Sequence, residues 1–323
     1  MLLRTYKEEF MTASFTRRSD LAIECVELNY GNTPPDNDGI ETESSTSFGY
    51  CCNRMTVRTK LGADKIQKPV GRYVTVDVGK ISSLTQEQFY NACNALSVEL
   101  QRLLPKGNCC LVAALGNRSI TADSQGPLCS DNFLVTRHVK EHSPKIFSDL
   151  MLFETSCIVP GVLASTGIEA AEIVKGVVDK AKPDFVIAVD SLASRKLSRV
   201  GATIQITDTG ISPGSGVGNR RTALSYETLG VPVIAIGIPT VVDAVTVGAD
   251  ILEECLAKED NELPQHLREE ILRSVLDCGS YGHFVTPKDC DKISKQAGRL
   301  IAMGINMALN PSLAPSEIEE LIG

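Results

Sequence analysis

Four short, almost continuously apolar runs constrain this chain more than any other feature: RYVTVDV (72–78), CCLVAALG (109–116), DFVIAVD (184–190) and VPVIAIG (231–237). A strand with one wet face alternates apolar and polar residues. A run that is apolar at nearly every position fits a strand covered on both faces, as in a parallel sheet between helices. Helical periods separate the runs. One spans Thr85 to Leu104, entered through Ser82 and Ser83, and another spans Gly167 to Lys180 with acids in its first turn. Strands alternating with helices imply crossover connections and a sheet covered on both sides. The tail from Leu267 to Leu309 reads as mostly helical, with Pro287 placed as a first-turn residue. The expected fold is therefore α/β, a three-layer sandwich with a mostly parallel sheet between helices. Residues 29–56, rich in Asn, Thr, Ser, Gly and Pro, read as a loop or mobile connection.

Length and charge narrow the function classes. At 323 residues the chain can bury a large core in one or two domains. A formal net charge of −8 argues against direct binding of nucleic acid or an anionic membrane, since phosphate attraction needs clustered Lys and Arg. No apolar run approaches the roughly 20 residues that span a bilayer. The 11 cysteines are odd in number and include no C-x-x-C pair. Buried free thiols in a reducing compartment explain them better than a disulfide framework or a zinc ribbon. Arg4, Lys7, Arg17 and Arg18 near the start are interspersed with Glu8, Glu9 and Asp20, which suits neither a transit peptide nor a secretory signal. A cytoplasmic protein is expected.

Binding sites in open parallel sheets form beyond the carboxyl ends of the strands. Two acids fall there: Asp190 closes FVIAVD, and Asp123 lies in the loop SITADSQGP after LVAALGN. A carboxylate pair can share a proton, one member acting as base toward water and the other as acid; each could equally cap the helix that follows. Asp208-Thr209-Gly210 matches the triplet of pepsin-like proteases, but it occurs once and in α/β surroundings, so it reads as turn chemistry. His138, Glu141 and His142 spell H-x-x-E-H, which on a helix would put two imidazoles on one face for a metal; a solvated helix end is the plainer account. The glycine-rich GISPGSGVGNRR (210–221) fits neither dinucleotide nor P-loop spacing and reads as a tight loop.

The segments TSCIVPGVLASTGIEAAEIVKGVV, DFVIAVDSLASRKL, ATIQITDTGISPGSGVGNRR and SYETLGVPVIAIGIPTVVDA follow one another without a break, and HFVTPKDCDKI follows at 283–293. Together they resemble the spore germination proteases, endopeptidases that degrade small acid-soluble spore proteins. The resemblance implies a fold like that of the hydrogenase-maturation peptidases. It also implies a homotetrameric zymogen in the forespore that removes its own propeptide, and a catalytic pair that maps to Asp123 and Asp190, with no cofactor. Substrates of the family are cut after the first Glu of Thr-Glu-(Phe or Ile)-Ala-Ser-Glu. Ser19-Asp20-Leu21-Ala22-Ile23-Glu24 reproduces that pattern of hydroxyl, acid, apolar, Ala, variable and acid. Cleavage of Asp20–Leu21 is thus expected, separating a propeptide (1–20) from a single peptidase domain (21–323). The cleft would hold the peptide extended and read its acids with Arg195, Arg220 or Arg221. A pair sharing one proton would link processing to mildly acid conditions. Two other readings stand beside this one. The first is a metallopeptidase using His138, Glu141 and His142, or a metal held by Asp123 and Asp190. The second is a non-catalytic binding protein.

Overall fold

The computed structural model describes residues 19–31, 34, 38–214, 221–258 and 283–323, with isolated positions 267, 270 and 274. Its strands are β1 (Ile40–Ser47), β2 (Tyr50–Val57), β3 (Gly71–Asp77), β4 (Cys109–Ala114), β5 (Glu154–Ile158), β6 (Phe185–Ser194), β7 (Thr203–Thr207), β8 (Val233–Asp243) and β9 (Phe284–Val285). They form one sheet in the order β1-β2-β3-β7-β8-β6-β4-β5, with β9 paired to the end of β8. Helices around it include α1 (Ala22–Tyr30), α2 (Lys60–Ile66), α3 (Gln86–Leu103), α4 (Ala170–Ala181) and α5 (Cys290–Leu309).

The apolar runs are strands because each has two faces to bury. In β6, Phe185, Ile187 and Val189 enter one core with Leu96 and Leu100 of α3 and Leu300 and Ile301 of α5. Val186 and Ala188 point the other way, into a core with Val174 and Val178 of α4. Fully burying one such Leu or Ile side chain stabilises by roughly 1.5–3 kcal/mol. Helix α3 begins where its sequence signals a start. Thr85 accepts from the Gln88 N–H, and the Gln88 side chain accepts from the Thr85 N–H, a reciprocal cap. Among the described residues no helix is long and apolar enough to cross a membrane.

The sheet is mixed rather than mostly parallel. Parallel pairing is confined to β4 with β5 and β6, and β6 with β8. Strand β3 runs antiparallel to both β2 and β7. RYVTVDV nevertheless reads as a doubly buried strand, because Val74 and Val76 face the α3–α5 core while Tyr73 packs with Ala22 and Val26 of α1. Burial on two faces, not strand direction, makes such a run apolar.

The region read as a loop is largely a hairpin. Strands β1 and β2 pair in register from Ile40↔Val57 to Ser47↔Tyr50, and Phe48 and Gly49 turn with φ of 49° and 85°. A two-residue turn with both φ positive matches the twist of a hairpin. The polarity of IETESSTS reflects an edge strand largely open to solvent, a common way to protect a sheet edge. Arg54 ties this hairpin to α3 through a two-pronged ion pair with Glu99 (2.6 and 2.7 Å), whose carboxylate is fully buried. Replacing Arg54 by Met strands that charge in the interior. We expect a loss of about 3 kcal/mol in urea unfolding, whereas Arg58→Met, at an exposed pair with Glu41, should cost less than about 1 kcal/mol.

Candidate functional site

Asp190 lies inside β6 rather than at its end. Its position beside Val189, which pairs with Ala114, the last residue of β4, makes it the first residue of β6 beyond its neighbour. On the other side it pairs with Gly237 of β8. Its side chain is 5% exposed, and one carboxylate oxygen accepts the Ser191 N–H at 2.9 Å. Burial raises the Asp190 pKa well above the ordinary carboxylate value, and the nearby charges of Asp123 and then Asp20 add to the rise.

Asp123 ends a short 3-10 turn, Thr121–Asp123, and is half-buried. The turn is pinned at every residue: Ser294 Oγ donates to the Thr121 carbonyl (3.1 Å), Thr240 Oγ1 to that of Ala122 (2.6 Å), and the Asn117 N–H to that of Asp123 (2.7 Å). Gly116 permits this last approach. Its φ is +111°, and a Cβ there would lie 2.1 Å from the Asp123 carbonyl oxygen. Burial lifts the Asp123 carboxyl from 3.8 to about 6, opposed by a hydrogen bond from the Asn117 backbone. The two carboxyl groups singled out in the sequence are therefore brought within electrostatic reach of each other.

A cleft of about 1220 Å³ opens beside Asp190. Ser19, Asp20, Lys68, Asp190, Ser191, Gln205 and Asp208 contribute to its wall, whereas Asp123 does not. The Ser19–Glu24 segment is seated at its edge. The Asp20 N–H donates to the Ala193 carbonyl (2.8 Å), and the Ala193 N–H donates to the Asp20 carboxylate (2.8 Å). Leu21 is fully buried. The segment is not extended throughout: Leu21 is the N-cap of α1, and Ala22 to Glu24 form its first turn. Asp20 thus stands ahead of the helix, while Glu24 lies in its first turn. Buried Glu24 accepts the Arg195 N–H (2.6 Å) and the Lys196 N–H (3.0 Å), and it pairs with Arg199 at 3.3 Å. The Ser19 hydroxyl closes the same cluster by donating to Glu24.

Of the three basic residues proposed to read acids, Arg195 does so through its backbone, while its guanidinium meets Asp250 at 2.9 Å. Arg221 lies 3.9 Å from Glu169, and Arg220 lies outside the described residues. Sequence reasoning missed Lys196 and Arg199, and it missed Lys68 and Gln205. The only signal for any of them was an amide in the middle of the apolar strand TIQIT. Asp208 is held by the side chain and backbone of Arg72 (2.7 Å each), a structural arrangement. His138, Glu141 and His142 occupy an exposed helix, Arg137–His142, with Glu141 3.5 Å from Arg137. Among the described residues no group of three or more His, Cys, Asp or Glu side chains is placed to hold a metal ion.

The folded state raises the affinity of Asp123 for a proton, so ionising it favours unfolding. That cost is absent below pH 3.8, grows as the pH rises, and is complete above about 6. A shift of about two units corresponds to at most about 3 kcal/mol, and partial exposure reduces it to about 1–2 kcal/mol. Asp123→Asn should therefore raise stability by that amount at pH 7.5 and change it little at pH 4, as read by thermal unfolding at the two pH values.

The family model described as germination protease matches residues 22–266. The chain is 40% identical over 321 residues to the germination protease of Caldanaerobacter subterraneus subsp. tengcongensis, an alignment covering 94% of this chain and 98% of that one. It is 38% identical over 321 residues to that of Clostridium perfringens strain 13, with the same coverage. Identity to that of Priestia megaterium is 36% over 360 residues, covering 94% and 96%. A solved [NiFe] hydrogenase maturation protease, HycI from Thermococcus kodakarensis KOD1, aligns at 16% identity with a TM-score of 0.31, covering 64% of this chain and 98% of that one. With matches of this length and identity to a peptidase family, the chain belongs to the germination proteases.

Proposed function

We propose that this peptidase is an autoprocessing endopeptidase that cuts its own Asp20–Leu21 bond. In this reading the enzyme then degrades small acid-soluble spore proteins at matching sequences, in the spore core, as a homotetramer. One observation carries the reading: the Ser19–Glu24 segment, which matches the family's substrate pattern, is seated in the Asp190 cleft with the Asp20 charge felt by Asp190. A substrate-like sequence met elsewhere on the surface would support no such proposal.

The chemistry follows from the two carboxyl groups. Asp190, the more deeply buried, keeps its proton to higher pH, while Asp123 is ionised above about 6. The working state of the pair holds one proton. The ionised member takes a proton from water as the water oxygen attacks the Asp20 carbonyl carbon. The protonated member then gives its proton to the Leu21 nitrogen as the C–N bond breaks. The products are a carboxylate at residue 20 and an amine at residue 21. Asp123 stands outside the cleft wall, so as the ionised member it takes that proton through an intervening water.

Intact mass measured over time tests this. Wild type should lose residues 1–20, while Asp190→Asn and Asp123→Asn should process at least about 10²-fold more slowly. If either variant is trimmed at the wild-type rate, the pair is not the catalyst. The rate should fall as the pH drops below about 6, where Asp123 takes up a proton and both members become neutral. It should fall again at higher pH as Asp190 ionises.

A further inference from the structure

The carbonyl oxygen of Asp20, the atom whose bond to carbon would open during cleavage, is not free. Lys68 Nζ donates to it at 3.0 Å, and Gln205 Nε2 donates to it at 3.0 Å. Lys68 also holds the Ser19 carbonyl at 3.1 Å, so the ammonium sits over two successive carbonyls. The other end of the Gln205 amide accepts the Ala22 N–H at 2.7 Å. One side chain thus spans the Asp20–Leu21 bond, touching the carbonyl of that peptide and the N–H of the next, while the Leu21 N–H itself donates to Ser19 Oγ at 3.0 Å. These two contacts also set the orientation of the amide, since the reverse would oppose donor to donor and acceptor to acceptor. Gln205 is 6% exposed and projects from a strand otherwise made of Thr and Ile. A long amide at such a position loses side-chain entropy and its hydration, and a merely structural strand has no use for it.

Resting on the reading that Asp20–Leu21 is the bond cut, we infer that Lys68 and Gln205 form the oxyanion site of this peptidase. Neither residue belongs to the carboxylate pair. As water adds to the Asp20 carbonyl carbon, the C=O π electrons move onto the oxygen and the water proton passes to the ionised carboxylate. The negative charge then develops between an ammonium and an amide N–H that are already in place. When the carbonyl re-forms, those electrons return, the C–N bond breaks, and the Leu21 nitrogen takes its proton from the carboxyl pair. Donors that are preorganised in a water-poor cleft stabilise such charge far more than solvent does. A carboxylate pair alone can move protons but cannot stabilise a new negative charge beside its own. The Lys68 cation also relieves the repulsion that the ionised member of the carboxyl pair would impose on that charge.

The test follows autoprocessing of the full chain by intact mass, together with hydrogen exchange at the Asp20 and Ala22 amides as a separate reading of segment docking. Lys68→Met removes the cation. Gln205→Glu keeps an acceptor for the Ala22 N–H but turns the donor toward Asp20 into a second acceptor. Each should slow cleavage by about 10²-fold while both amides remain protected, and Lys68→Arg should recover part of the rate. Cleavage of either Met or Glu variant at the wild-type rate at the same bond would overturn the inference and leave the peptidase reading intact. Loss of amide protection in parallel with the rate would overturn it too, reducing the two residues to a clamp. If wild type never cuts Asp20–Leu21 while still cutting a peptide of the family's substrate sequence, the reading on which the inference rests has failed.

Discussion

A carboxyl group in the middle of a doubly buried strand is the constraint on which this site depends. Every residue of β6 before Asp190 fills a core, and the carboxyl itself is 5% exposed at the wall of the cleft. Such a group must find a cation, coordinate something or keep its proton. Among the described residues no cation is bonded to it, and the charges that raise its pKa are those of the acids Asp123 and Asp20. The result is a proton store held at fixed coordinates by three parallel strands. That is an expensive thing to build into the centre of a sheet.

The Ser19–Glu24 segment lies at the edge of this cleft in a partly helical form. Leu21 is buried as the N-cap of α1, and the acids at 20 and 24 are read on two sides of the same β6 terminus. The recognition is mostly made by backbone N–H groups of residues 193, 195 and 196, with Arg199 adding charge. Backbone donors at a strand end are rigid and lose no rotamer freedom on binding, so they discriminate position well. Their use also explains why a search for basic side chains in loops was a poor guide. The side chain of Arg195 is committed to Asp250, and its contribution to Glu24 comes from its own peptide group.

Legibility varied with the physics involved. The proximity of Asp123 and Asp190 was legible because β4 stops one residue short of Asp190 and the loop that follows β4 carries Asp123. The β1–β2 hairpin was not readable, because an edge strand of Ser, Thr and Glu has the composition of a loop; only the pairing partner distinguishes them. The antiparallel direction of β3 was invisible for a related reason, since a strand covered on both faces looks the same whichever way its neighbour runs. Lys68 could not have been found at all. It sits in a polar stretch far from either aspartate in sequence, and its relevance is a matter of distance to one oxygen atom.

The sequence by itself determined which segments must be buried, where the two carboxyl groups would lie along the chain, and the six-residue order of hydroxyl, acid and apolar groups at Ser19–Glu24. Those properties depend on residue type and near-neighbour order, which local chemistry reads directly. Only the tertiary structure decided that this six-residue segment lies at the edge of the Asp190 cleft, that its two acids are held by the chain between residues 193 and 199, and that Lys68 and Gln205 meet on a single carbonyl oxygen. Each of these joins segments separated by about fifty to almost two hundred residues, and such contacts are set by how strands order in the sheet rather than by any local preference.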